Sequence, residues 1–104
     1  MTLEELYLIL CKTGYPTAYE EHTPTEQAPY VTFAEMSRET LYADDEICMQ
    51  YKNVRVSLFT HEKDPAAEQK VEAVLLNAGL IYDFYDIGCV GKEKVHETDY
   101  EIQI

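Results

Sequence analysis

Tryptophan is absent from this 104-residue chain; glycine and proline number four each, cysteine three, and lysine plus arginine only eight. Each shortage excludes something. So few cations exclude a phosphate-binding surface for DNA or RNA, which needs clustered Lys and Arg. The four glycines all stand at turns or helix ends, leaving none for a phosphate-cradling loop or a dinucleotide fingerprint. Cys11, Cys48 and Cys89 are odd in number, far apart and outside any Cys-x-x-Cys motif, the pattern of three reduced structural thiols. No apolar run reaches membrane-spanning length, and the N-terminus lacks the basic-then-apolar order of a signal peptide. His22, His61 and His96 are dispersed and form no zinc-ligand pattern, and no Gly-x-Ser-x-Gly elbow occurs. These absences leave no catalytic signature and imply no cofactor.

What is present in excess is acid. Twenty Asp and Glu give a formal charge of −12, which reads either as a solubilising surface or as a functional negative surface that faces a basic partner or repels nucleic acid. Nine tyrosines suit half-wet surfaces, where the ring buries area and the hydroxyl stays hydrated. The length fits one domain, residues 1–104, with a single core of two packed layers.

The segment from Val54 to Ile87 carries the clearest pattern. Val54, Val56 and Leu58 alternate with Arg55 and Ser57, a half-buried strand. Asp64 is placed as an N-cap with Pro65 at the first helical position. Ala67, Val71, Val74, Leu75 and Ala78 then form one apolar stripe, closed by Gly79 with Leu80 packing back. A strand from Ile81 to Ile87 follows, with Tyr82 and Phe84 on one side and Ile81, Tyr85 and Ile87 on the other. Such a strand is either central and covered twice, or its outer face meets another subunit.

Elsewhere, Thr2 and Glu5 form a capping box for a helix carrying Leu3, Leu6, Tyr7 and Leu10, which Thr13-Gly14 and Pro16 end. Thr17 to Glu20 reads as a short strand, Thr23 to Pro29 as a loop, and Tyr30 to Ala34 as a strand with Val31 and Phe33 inward. Ser37 to Glu46 reads as a second polar segment. Ile47, Met49 and Tyr51 alternate on odd positions and Val54, Val56 and Leu58 on even ones. That phase change demands a β-bulge or tight turn at Lys52-Asn53, with one long bulged strand the preferred form. Gly88 to Lys92 reads as a hairpin loop. The last strand, Thr98 to Ile104, buries Tyr100, Ile102 and Ile104 and exposes Asp99, Glu101 and Gln103. The expected architecture is α+β, a mainly antiparallel sheet with helices near 2–13 and 65–78 on one face. Asp44-Asp45-Glu46 reads as a solvated turn or, less simply, a hard-cation site without the spacing of an EF-hand.

Several of these segments together resemble a known family. Tyr15-Pro16-Thr17-Ala18-Tyr19, Ala28-Pro29-Tyr30-Val31-Thr32-Phe33 and Tyr42-Ala43-Asp44-Asp45 are similar to small proteins of long-tailed phages and Gram-positive prophages. So are Val54 to Thr60 followed by Lys63-Asp64-Pro65 and a short helix, and the closing run Tyr100-Glu101-Ile102-Gln103-Ile104. The likeness, over about residues 15 to 104, is to tail-terminator and tail-completion proteins of the head–tail junction. It implies a compact α+β subunit without cofactor or reaction. The subunit would assemble with itself, as a hexameric ring when assembled and as a monomer or a ring in isolation, on the end of the tail tube. There it would stop tube growth and dock to the head connector, in a virion put together in the bacterial cytoplasm. Candidate residues for subunit or tail-tube interfaces are Tyr42, Asp44, Asp45 and Glu46 in the polar segment, and Tyr85 and Ile87 on the two-sided strand. Carboxylates lining such a ring would repel DNA phosphate and keep the passage non-adhesive. A reading from another class is an acidic protein-binding module, such as a DNA mimic, whose carboxylates would be spaced like phosphates along one exposed face. A small hydrolase would need a cleft and a nucleophile–base pair.

Overall fold

The computed structural model describes residues 1–19, 28–90 and 95–104. The elements, in chain order, are α1 (Leu3–Cys11), β1 (Thr17–Tyr19), β2 (Tyr30–Ala43), β3 (Glu46–Thr60), α2 (Pro65–Asn77), β4 (Tyr82–Val90) and β5 (Val95–Gln103). The strands form one sheet in the order β1-β2-β3-β5-β4, parallel between β1 and β2 and antiparallel elsewhere. The architecture is therefore α+β, as the periodicity predicts.

Both helices begin and end where their caps dictate. The Thr2 hydroxyl accepts from the Glu5 N–H at 3.1 Å, and the Asp64 carboxylate accepts from the Ala67 N–H at 3.2 Å. At the end of α2, Gly79 takes φ +79°, which lets its N–H reach the Leu76 carbonyl and the Leu80 N–H reach the Leu75 carbonyl, both at 3.0 Å. This is the Schellman closure, and it folds Leu80 back into the core.

Both helices pack on one face of the sheet, called here the helix-side face. Leu6 and Leu10 of α1 and Ala67, Val71 and Leu75 of α2 meet Val31, Phe33, Val54, Val56, Leu58, Tyr100 and Ile102 from the strands. Val31, Phe33, Val54, Val56, Leu58, Tyr100 and Ile102 are buried as expected; Val74 is only half-buried, at the margin of the stripe. Tyr82 and Phe84 meet the buried Tyr100 ring edge-on at 5.3 and 5.7 Å, and Tyr19 meets Phe33 likewise at 5.3 Å.

Four expectations are corrected. Ser37 to Glu46 is not an irregular polar segment: β2 and β3 continue through it as one long hairpin, turning only at Asp44 and Asp45. Its polar composition misleads because no helix among the described residues covers this stretch, so neither face requires an apolar stripe. The preferred single long strand is present as β3, but it has no bulge at Lys52-Asn53, which pairs in register with Arg38 and Ser37. The strand keeps its pleat, and the apolar positions change face at the point where helix cover ends. The bulges fall instead at Met36 on β2 and at Cys48 on β3. Gly88 and Cys89 belong to β4 rather than to a loop, and β5 starts at Val95, three residues before the predicted strand. Finally, Asp99 is 4% exposed rather than solvated, and Ile104 is half-buried. The predicted loop at 23–29 lies largely outside the described residues; Ala28 and Pro29, which are described, are joined by a cis peptide.

Candidate functional site

The far half of the β2–β3 hairpin leaves the body as a two-stranded arm. Seven residues, Ser37 to Ala43, reach about 24 Å at the usual rise per residue, consistent with a longest molecular dimension of 50 Å against 28 and 22 Å. The arm closes in a two-residue turn in which Asp44 and Asp45 have φ of +51° and +64°. This is the type I′ geometry whose twist matches a hairpin. At its root, Tyr19 caps the outer edge of β2 by accepting the Glu35 N–H at 3.2 Å. The Asn53 side chain bonds Ser37 at 2.9 Å and Gln103 at 3.0 Å, tying the arm to the end of β5. Lys52 and Ile104 exchange both backbone hydrogen bonds at 3.0 Å, and β3 then runs on without a neighbour on that side among the described residues.

The register assigns the arm two unlike faces. Arg38, Thr40 and Tyr42 with Lys52, Gln50 and Ile47 share the helix-side direction. Ser37, Glu39 and Leu41 with Asn53, Tyr51 and Met49 share the opposite direction, called the open face for its exposed Asp83 and Glu101, although Thr32, Ala34, Ser57 and Asp99 on the same side of the body are buried. Large apolar side chains are exposed on both: Tyr42 is 71% exposed and Ile47 58%, and Leu41 and Met49 are exposed on the other face. Arg38 pairs with Glu35, whose carboxyl is held below the usual range by that guanidinium. Arg38 and Lys52 stand directly opposite each other across the ribbon.

The predicted interface residues fall into two groups that the fold keeps apart. Tyr42, Asp44, Asp45 and Glu46 are exposed at the arm's tip. Tyr85 and Ile87 are exposed on β4, the opposite edge of the sheet, so that strand is not the twice-covered central one. Tyr85 pairs with Asp99 on the open face, whereas Ile87 is the extra residue of a β-bulge between Asp86 and Gly88. The simple alternation that placed Tyr85 and Ile87 on one face therefore breaks at Ile87. Met36 and Leu41 are further exposed apolar residues, as is Met49, which the sequence places in an alternation but not among the interface candidates. Their signal was the alternation from Ile47 to Tyr51, which is legible only once its partner strand is known.

On the open face at the arm's root lies a cleft of about 860 Å³, lined among others by Glu39, Tyr51, Asn53, Arg55, Asp83 and Glu101. Asp83 and Glu101 are cross-strand partners, so two carboxylates face each other there. Arg55 partly offsets them, with its guanidinium 3.6 Å from Glu101 and 3.7 Å from the buried Asp99.

A second polar cluster sits on the helix-side face, where α2 meets the β4–β5 edge. The Lys63 ammonium lies 3.0 Å from Glu68 and 3.2 Å from Asp86, and 5.3 Å over the Phe84 ring. His96 Nε2 lies 2.7 Å from Asp86. The hydrogen bond to Glu68 raises the Lys63 pKa, and the one from Lys63 holds Asp86 below the usual carboxylate range. Deeper in, Tyr82 donates to Glu72 at 2.7 Å and Tyr100 approaches the same carboxylate at 3.3 Å. The bond to Glu72 raises the Tyr82 pKa, and burial raises that of Tyr100. Both phenols stay protonated as donors. The group clamps α2 to the sheet.

Among the described residues, no group of three or more His, Cys, Asp or Glu is placed to hold a metal ion. His61 is exposed, and His22 lies outside the described residues. The three cysteines are exposed free thiols. No helix among the described residues is long and apolar enough to cross a membrane. The chain matches no protein-family model and no curated protein.

Proposed function

We propose that this chain is a structural subunit of the head–tail junction of a long-tailed phage or prophage. In this reading it is a tail-terminator or tail-completion protein that assembles as a ring on the end of the tail tube. The ring stops tube growth and docks to the head connector, with the virion as its final location and the bacterial cytoplasm as its place of assembly. The observation that carries the reading is the arm. A protruding ribbon that exposes Leu41, Tyr42, Ile47 and Met49 spends apolar surface on solvent unless a protein partner covers it. The sequence resemblance supplies which partners, and the clamped, well-packed body supplies a rigid base for the arm. Electron microscopy of tails assembled with and without the protein tests the reading. Without it, tails should be overlong or unable to join heads, and adding the purified chain should restore them. Normal length and full joining competence in its absence would remove this function.

A second reading is favoured by one observation. Asp83 and Glu101 place two exposed carboxylates side by side on the open face of β4 and β5, as a DNA mimic would use to occupy a basic surface. Tight inhibition of a nucleic-acid-binding protein, relieved by Asp83→Asn with Glu101→Gln, would favour it over the junction.

A further inference from the structure

Two direct like-charge pairs face each other across strands in the described register, and they are of opposite sign. One is Arg38 opposite Lys52 on the arm; the other is Asp83 opposite Glu101 on the β5–β4 pair. Each pairing costs stability within its own chain. The pairs point to opposite faces of the sheet, Arg38 and Lys52 in the helix-side direction and Asp83 and Glu101 to the open side, so they cannot neutralise each other within one molecule. Both are cross-strand neighbours on an antiparallel ladder, with the same short separation of roughly 5 Å, so two cations on one copy can face two anions on another. Their surroundings preserve the signs. Glu35 bonds Arg38 and also acts on Lys52, so a single carboxylate stands against the two arm cations, and Arg55 is shared between Glu101 and Asp99. The acidic pair also lines the open cleft at the arm's root.

We propose that the arm of one copy lies across the open face of a second copy, seating Arg38 and Lys52 over Asp83 and Glu101. Tyr42 and Ile47, on the same arm face, continue the contact with apolar surface. The two patches lie on different parts of the chain, so the contact is head-to-tail and repeats from copy to copy until the rotation closes a ring. This deepens the junction reading and rests on it, by naming how the subunits meet. It also explains how chains of net charge −12 can associate: the contact brings the arm's cations, rather than more acid, against the acidic face.

The test uses the purified full chain in sedimentation velocity. The parent should self-associate at concentrations below about 1 mM, and a chain that stays monomeric to that limit overturns the proposal. Arg38→Glu with Lys52→Glu, and separately Asp83→Lys with Glu101→Gln, should each weaken association about tenfold or more. Mixing the two variants should restore a heteromeric contact, because the reversed arm then meets a reversed face. A mixture no better associated than either variant alone overturns the proposal, as does undiminished association of both. Thermal melts verify that each variant folds, and Asp83→Asn replaces the face-reversed chain if that chain does not. A chain that passes these tests yet fails to restore tails keeps this contact and loses the junction function. Binding of a basic peptide by a parent that remains monomeric assigns the acidic face to a different protein.

Discussion

The same two strands, β2 and β3, live in two environments. From Tyr30 to Glu35 and from Val54 to Thr60 they lie in the body, under both helices, with Val31, Val56 and Leu58 at 0–1% exposure. Beyond Met36 and Asn53 they form the arm, with neither α1 nor α2 above them and with Leu41, Tyr42, Ile47 and Met49 exposed. Hydrogen bonding continues across the boundary with only the bulge at Met36, so what changes is burial. The body's apolar residues hold the fold together. An isolated two-stranded ribbon is marginal in water, so the arm's apolar residues contribute little to holding this fold. The division implies that stability and association can be mutated separately.

The sharpest version of that claim compares Leu75→Ala with Leu41→Ala. Leu75 is fully buried and makes the helix-to-sheet contact, so its truncation should cost about 2–5 kcal/mol in denaturant titration. Leu41 is half-exposed on the arm, and its truncation should stay within about 0.5 kcal/mol. Similar costs at the two positions would show that the arm is part of the cooperative core. A larger intervention asks the same question of association. Excising Ser37 to Lys52 and closing Met36 to Asn53 with a two-residue turn should leave a folded body and abolish self-association. Tyr85→Glu and Ile87→Glu, on the opposite edge, should weaken assembly more than folding if that edge also carries a contact.

The body was legible in the sequence because local and tertiary preferences agree there. The capping of α1 and α2, the Ala67-Val71-Leu75 stripe and the Val54-Val56-Leu58 alternation each satisfy one buried face, and periodicity reports buried faces. The arm was not legible for the same reason. Without a covering layer, Ser37 to Glu46 had no stripe to show, and its strand character depends on pairing with Gln50 to Asn53. The phase change at Lys52-Asn53 was a true signal given the wrong cause: it marks where the helices stop. Of the candidate residues, Tyr42, Tyr85 and Ile87 are large apolar side chains left exposed. The Arg38–Lys52 and Asp83–Glu101 pairings needed the register, which composition does not contain.

The body's polar clamp offers a smaller effect with a distinctive pH signature. Lys63 holds Asp86 below its ordinary pKa and is itself raised by Glu68. The depressed carboxylate contributes stability above its unfolded value and loses it as pH falls through the folded one. The raised ammonium contributes below its unfolded value and loses it as pH rises through the folded one. Lys63→Met should therefore lower the melting temperature at pH 7 and matter less near pH 3, below the ordinary carboxylate range of about 4. Subtracting variant from parent at each pH removes the general relief of acid repulsion. A difference that persists at pH 3 would mean that Lys63 acts through its stem on Phe84 rather than through its charge.

The smallest expected change is at the arm's tip, and it bears most directly on whether arm and body are separate. Asp44 and Asp45 both hold left-handed backbone, which aspartate tolerates less well than the Asn-Gly that type I′ turns prefer. Asp44→Asn with Asp45→Gly should relieve about 1 kcal/mol or less of backbone cost and remove two of three adjacent carboxylates. If the arm opens by its own local fluctuation, the gain should appear as slower amide exchange in Glu39 to Tyr51, with the global unfolding free energy unchanged. If the arm unfolds only with the body, the same substitution should move the global transition and leave no separate exchange class in the arm. The first outcome makes the arm an independent unit awaiting a partner. The second joins it to the core and removes the distinction on which the separate mutation of stability and association depends.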